Sequence, residues 1–264
     1  MFIVAERINS SRKAINEAIK ARDADFIRGE AKTQTEAGAN AIDVNAGSFV
    51  GQEAEYLCWL AGVVQEVTGL PLCLDSPDPE AIGAALEIVK GPAIINSITL
   101  EKRRLEGMLP LVKKYRTKTV VLCQSDKGMA NTVDDRVGIA REGIEALAGE
   151  GVGLDDIYID PLIYPIATDT KSAVAALGAI REIRQLFPGV HTICGLTNVS
   201  FGLPVRKLIN RTFLVAAMAY GLDSAIIDPT DRELMASLVA AEAVLDRDTY
   251  CTNYITAYRK GRLT

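Results

Sequence analysis

Short apolar runs alternate with longer amphipathic stretches along the whole 264-residue chain. The runs are Phe2–Ala5, Ala41–Val44, Pro71–Leu74, Ala93–Ile95, Thr119–Cys123, Ile157–Ile159, Thr192–Leu196 and Ala225–Ile227. Each is a few residues long and apolar on both faces, the pattern of parallel strands covered by helices. Between them apolar residues recur at helical spacing, as at Ile144, Leu147 and Ala148, or Leu234, Leu238 and Ala241. Helix starts are marked as well. Asp78-Pro79 sets a capping residue before proline at the first helical position. Thr230 with Glu233, and Thr132 with Asp135, have the spacing of capping boxes. Eight strands, each followed by a helix, predict an α/β fold: a single-domain (β/α)8 TIM barrel over residues 1–264. The competing doubly wound sheet is expected to carry a GxGxxG turn after its first strand, and this chain has none. After Asp248, tyrosines at 250, 254 and 258 predict a short last helix packed on the barrel or on a second subunit.

Composition narrows the class. Hydrophobic residues are 48% and charged residues 24%, ordinary for a globular protein, and the net charge of −5 disfavours nucleic acid or an anionic membrane as partner. The basic run Lys113, Lys114, Arg116 and Lys118 follows an apolar helix and reads as a solvated helix end. The start MFIVAERIN turns polar too early for a secretory segment, and no apolar stretch is long enough to span a bilayer. Five scattered cysteines form no CxxC pair. Cys73, Cys123 and Cys194 lie in strand-like runs and read as reduced core thiols of a cytoplasmic protein. His191 is the only histidine and begins a strand, so a histidine-based zinc site or a Ser-His-Asp triad is not expected.

In such a barrel, chemistry gathers at the C-terminal strand ends. Those ends read Glu6 with Arg7 and Asn9, then Asp43 and Asn45, Asp75, Asn96, Gln124, Asp160, Asn198 and Asp228. Acids and amides are common in turns, but every end carries one. No lysine offers a Schiff base, no histidine a general base, and cations are few. Carboxylates accept hydrogen bonds and amides both accept and donate. A flat heterocycle with several N–H donors and a carbonyl suits this set. A reduced pterin is one such ligand, because its amino group and adjacent ring N–H can share a carboxylate as a guanidinium does. A divalent cation held by Asp43, Asp75 and Asp160 is the other physical reading.

The segments LCLDS (72–76), INS (95–97), YIDPL (158–162), GLTNVSFGLPVR (195–206) and LINRTFLVAAMAYGLDSAIID (208–228) resemble the pterin-binding methyltransferases. That family includes the methyltetrahydrofolate:corrinoid/iron–sulfur protein methyltransferase of acetogens and the folate domain of cobalamin-dependent methionine synthase. The openings ERIN (6–9) and DVNAG (43–47) look alike too, so the resemblance spans essentially the whole chain. It implies that Asp75, Asn96 and Asp160 hold the pterin ring and that Asn198 contacts N5, the nitrogen carrying the methyl group. Asn198 and Asp160 are then the catalytic candidates; Glu6, Asp43, Asn45 and Arg206 are further candidate substrate contacts. Arg206 either meets the p-aminobenzoyl-glutamate of the substrate or pairs with a carboxylate nearby. Phe201 stands where some relatives carry glutamine.

The resemblance implies methyl transfer between N5 of methyltetrahydrofolate and the cobalt of a corrinoid (cobalamin) carried by a partner protein, in either direction, by a homodimer without a resident metal. The chain has no DxHxxG corrinoid-binding signature of its own. Three rivals stand beside it. A dihydropteroate synthase would be expected to carry a lysine in the GLTNVSFGLP loop, which has none. A metal-dependent lyase or aldolase would lose activity to chelators, and a noncatalytic pterin-binding subunit would bind folate without turnover.

Overall fold

The computed structural model describes residues 1–263, the Met129 side chain excepted. The first strand, β1 (Phe2–Asn9), is followed by two helices, α1 (Lys13–Ala21) and α2 (Ala24–Glu36). Then come β2 (Ala41–Asn45), α3 (Glu53–Gln65), β3 (Leu72–Asp75), α4 (Pro79–Ile88), β4 (Ala93–Leu100), α5 (Lys102–Tyr115) and β5 (Lys118–Ser125). A two-residue β6 (Gly128–Met129) folds back antiparallel on β5. The chain continues as α6 (Val133–Gly149), β7 (Ile157–Asp160), α7 (Ser172–Leu186), β8 (His191–Thr192), α8 (Arg206–Tyr220), β9 (Ser224–Ile227), α9 (Arg232–Val244) and α10 (Thr252–Arg259).

The parallel ladder runs β8-β7-β5-β4-β3-β2-β1-β9. A bridge between Gly195 and Ile226 joins its two ends, with the Ile226 amide donating to the Cys194 carbonyl at 2.9 Å. The sheet thus closes into the expected barrel. Strand period explains the filling. Residues such as Ile42, Val44, Leu74, Ile95, Val121 and Ile159 point outward and pack under the helices. Their neighbours Val4, Ala41, Cys73, Ile94, Val120, Tyr158 and Ile193 point inward and form an apolar floor, joined by Ile226.

Three local expectations are corrected. The strand expected at Thr192–Leu196 pairs regularly only over His191–Thr192; beyond the Gly195 bridge the chain coils into a 3-10 turn, Leu196–Ser200. The cap of α9 is Asp231, whose carboxylate accepts from the Leu234 amide at 3.2 Å, rather than Thr230. Thr230 is already engaged, its hydroxyl donating to Asp228 at 2.6 Å and accepting from Arg7. Strands β1, β4 and β5 also extend well past their apolar runs, because backbone pairing continues into the polar mouth. The caps at Asp78 and Thr132 form as the spacing predicts, the latter as a full capping box. The tail does form a helix, α10, which packs on α9 and leaves Tyr250 and Tyr258 exposed. Lys113 and Lys114 end α5, and Lys113 pairs with Glu150 at the surface.

Candidate active site

Two residues beyond each floor residue, the same inward face is reached again. From Val4 this gives Glu6; from Ala41, Asp43; from Cys73, Asp75. From Ile94 it gives Asn96, from Tyr158 Asp160, and from Ile226 Asp228. Only β5, with Leu122, and the Gly195 position break the polar layer. These residues wall a cavity of about 730 Å³ at the C-terminal mouth of the barrel.

Of the residues singled out in the sequence, Glu6, Asn9, Asp43, Asp75, Asn96, Asp160, Asn198, Arg206 and Asp228 line this cavity together. Asn45 does not. Its amide donates to Asp75 Oδ2 at 3.0 Å and its carbonyl accepts from Ser10 Oγ and the Gly47 amide, so it fixes Asp75 from behind. Gln124 turns to Glu101, and Arg7 reaches outward to Glu30 at 2.7 Å and to Asp228 at 3.2 Å. The Arg206 guanidinium bonds Ser200 Oγ and the Thr197 carbonyl and lies over the Phe201 ring, so it braces the loop that carries Asn198.

Seven polar side chains of the cavity were not singled out from the sequence: Ser11, Arg12, Ser97, Thr197, Lys207, Asn210 and Asp231. Arg12 follows a predicted strand end by a few residues, and that spacing was its only signal. Lys207 pairs with Asp231 at 3.1 Å. Among the described residues no three His, Cys, Asp or Glu side chains converge as metal ligands would.

The acids are buried above the apolar floor, which disfavours their charged forms; at Glu6 the charges of Arg12 and Arg206 offset this only in part. Burial, reinforced by the Asp228 charge, raises the Glu6 carboxyl to about 7. Burial raises Asp75 to about 6 against the pull of the Asn45 amide. Asp43 stands well above the usual carboxylate range because it is buried and faces Asp75; the Asn96 amide, 3.4 Å from its Oδ1, partly offsets this. Burial also lifts Asp160 to about 6, opposed by the amides of Leu162 and Gly195 and the charge of Arg136. The layer therefore holds a mixture of acceptors and protonated donors near neutral pH, suited to a ligand edge that carries both.

The opposite end of the barrel is built from ion pairs. His191 lies between Asp223 at 2.9 Å and Asp155 at 3.0 Å and stacks on Tyr158. It is a structural histidine remote from the mouth.

The profile of the pterin binding enzyme family matches residues 5–228. Over its whole length the chain is 36% identical to the methylcorrinoid:tetrahydrofolate methyltransferase of Eubacterium limosum, 98% of which is covered. Over 86% of its length it is 33% identical to the methionine synthase of Mycobacterium leprae, of which the match spans 20%. A solved dihydropteroate synthase from Clostridium difficile superposes with a TM-score of 0.76 over 92% of this chain and 96% of that one, at 17% identity, which is a likeness of fold. With the profile running from β1 to the end of β9 and a relative this similar from end to end, the chain belongs to the family of pterin binding enzymes.

Proposed function

We propose that this protein moves a methyl group between N5 of tetrahydrofolate and the cobalt of a corrinoid carried on a partner protein. One observation carries the reading. The chain is similar over its entire length to a methylcorrinoid:tetrahydrofolate methyltransferase, and the polar layer at its mouth consists of the acids and amides a pterin needs. Asp75 and Asp160 accept from the amino group and ring N–H of the pterin, and Asn96 contributes its amide. Asp43 and Glu6 complete the wall and, when protonated, donate to the ring carbonyl or nitrogens.

The chemical difficulty lies at N5. As methyl leaves folate for Co(I), the C–N bond electrons stay on N5, which must gain a proton or a strong hydrogen bond. A cob(I)alamin nucleophile needs an open line of approach rather than activation. Asn198 sits at the rim on the Leu196–Ser200 turn, braced by Arg206. Its amide donates to N5 as charge builds there, so the bond is stronger in the transition state than in the ground state. In the reverse direction the methyl of a methylcorrinoid passes to N5 of tetrahydrofolate, which loses its proton. The same residues serve both directions. At the rim, Phe201 and Val205 are largely exposed and leave the mouth open to a large substrate.

The assembly belongs to the same proposal: a homodimer working in the cytoplasm. All five cysteines are unpaired, in keeping with a reducing compartment. No helix among the described residues is long and apolar enough to cross a membrane.

The direct test mixes the purified protein with cob(I)alamin and methyltetrahydrofolate, and separately methylcobalamin with tetrahydrofolate, while the cobalamin spectrum is recorded. Conversion in either direction supports the reading; the absence of both conversion and folate binding overturns it. Binding without turnover would leave a noncatalytic pterin-binding subunit.

A further inference from the structure

Arg136 is wholly buried and is the largest of the fully buried side chains. A buried guanidinium is costly unless its donors and its charge are both met. Each of its three nitrogens donates to a backbone carbonyl. Nε donates to the Pro161 carbonyl at 2.6 Å, one terminal nitrogen to Leu162 O at 3.3 Å, and the other to Thr132 O at 3.1 Å. The group lies over the Tyr164 ring, and among the described residues it makes no carboxylate ion pair. An apolar side chain could fill this volume without the desolvation cost, so packing alone does not explain an arginine here.

What the arginine grips is informative. Pro161 and Leu162 are the two residues that follow Asp160 at the end of β7. Leu162 is left-handed, with φ of 60°, a conformation a branched side chain adopts only when its surroundings hold it there. In that conformation its amide donates to Asp160 Oδ1 at 2.8 Å. A continuous chain of bonds therefore runs from α6 through the turn to the carboxylate at the cavity wall. We propose that Arg136 is a positioning residue that fixes the turn after β7, and through it orients Asp160 to receive the pterin. The inference rests on the pterin reading of the site.

The charges around Asp160 make this an electrostatic device as well as a mechanical one. The groups that face it are Arg136 from α6, Cys123 from β5, Cys194 beyond β8 and Tyr164 from its own loop. Burial pushes both thiols and the phenol up, so they stay neutral near pH 7 and Arg136 is the one cation among them. The charges of Asp135, engaged in capping α6, and of Asp169 also act on Arg136. Removing the guanidinium releases the turn and lets the Asp160 carboxyl rise above about 6. A carboxylate that must accept from the pterin is then lost at higher pH than before.

The test compares Arg136→Met and Arg136→Lys with the parent protein. Tetrahydrofolate binding is measured by calorimetry between pH 5.5 and 8.5, and the Asp160 carboxyl is titrated by 13C NMR in ligand-free protein. Arg136→Met is expected to weaken binding at pH 7 by about tenfold or more and to move the acid limb to higher pH. Arg136→Lys restores the charge but not the fork across two carbonyls, so it should recover the limb and only part of the affinity. If the methionine variant does not fold, the lysine variant carries the test. In an Asp160→Asn background, Arg136→Lys should cost little further affinity. A wild-type pH limb in Arg136→Met, or an equal loss with and without Asp160, overturns the inference. Failure of the parent protein to bind tetrahydrofolate would instead overturn the pterin reading, and the 13C titration would still decide whether Arg136 governs Asp160.

Discussion

The cavity wall holds several carboxyls in a setting that disfavours their charge, and this has consequences for stability as well as binding. The folded Asp75 carboxyl is raised to about 6 from an ordinary 3.8. The sign follows from linkage. A group whose folded value is raised gives its full stabilisation below the unfolded value, and that contribution is lost as pH rises through the folded one. Above pH 6, then, ionised Asp75 works against the fold. Asp75→Asn is expected to raise the melting temperature of ligand-free protein at pH 8, to leave it nearly unchanged at pH 4, and to weaken tetrahydrofolate binding. Thermal scans at the two pH values, with calorimetric binding, check this; no gain in stability at pH 8 would refute it. Asn198 contrasts with it. It lies at the rim, and under the proposed function its amide donates to the reacting nitrogen, so Asn198→Ala should slow transfer by about two to three orders of magnitude with little change in folate affinity. Stopped-flow transfer rates set beside the binding constant separate the two effects, and equal losses in both would make Asn198 a binding group only.

Helices and strands meet closely where glycine replaces a side chain, and two such places differ in what they protect. Gly143 on α6 faces β5, and a Cβ there would stand 2.7 Å from Val121 Cγ1. Gly143→Ala must push the helix or the valine away, an overpacking that typically costs about 1–3 kcal/mol. The melting temperature should fall with transfer chemistry intact. Gly195 begins the turn after β8, and a Cβ there would meet the Asn198 amide nitrogen at 3.2 Å. Gly195→Ala should therefore lower the transfer rate more than the stability, which paired activity and melting measurements would reveal. These two glycines also mark the limit of what the sequence disclosed. The apolar runs located every barrel strand because parallel strands need two apolar faces. The polar residue at or just after the end of a run located the cavity wall except at β5, where Gln124 turns to Glu101 and Leu122 faces the cavity. The Gly195 turn was invisible, since Thr192–Leu196 is as apolar as any strand. The second-layer role of Asn45 was equally hidden, because an amide at a strand end reads alike whether it faces a ligand or a neighbouring carboxylate.

For the molecule as a whole, the barrel divides its labour between its ends. Polar groups at the mouth are strained toward neutrality and face a cavity, while those at the opposite end are paired. His191 joins β8 to Asp155 before β7 and to Asp223 before β9, so it ties together the strands beside the seam of the barrel where a single bridge replaces a ladder. Arg184 adds a third contact to Asp223 at 3.1 Å. These partners raise the His191 value above 6.5, with the Asp223 bond the larger cause, and lower that of Asp223. Protonated histidine is the form the clamp favours, so its contribution is fully present below pH 6.5 and is lost as pH rises through the folded value. At the acid extreme Asp223 must take a proton, and the clamp then loosens from the other side as pH falls below the usual carboxylate range. The stabilisation is therefore largest in the mildly acidic window between the two. His191→Gln keeps a donor and an acceptor but not the charge. Its melting temperature should fall furthest below the parent at about pH 5–6 and approach it by pH 9, with methyl transfer at the mouth unaffected when assayed well below the melting range. A deficit that is constant across that range would assign His191 to packing on Tyr158 rather than to the charged clamp that closes the barrel.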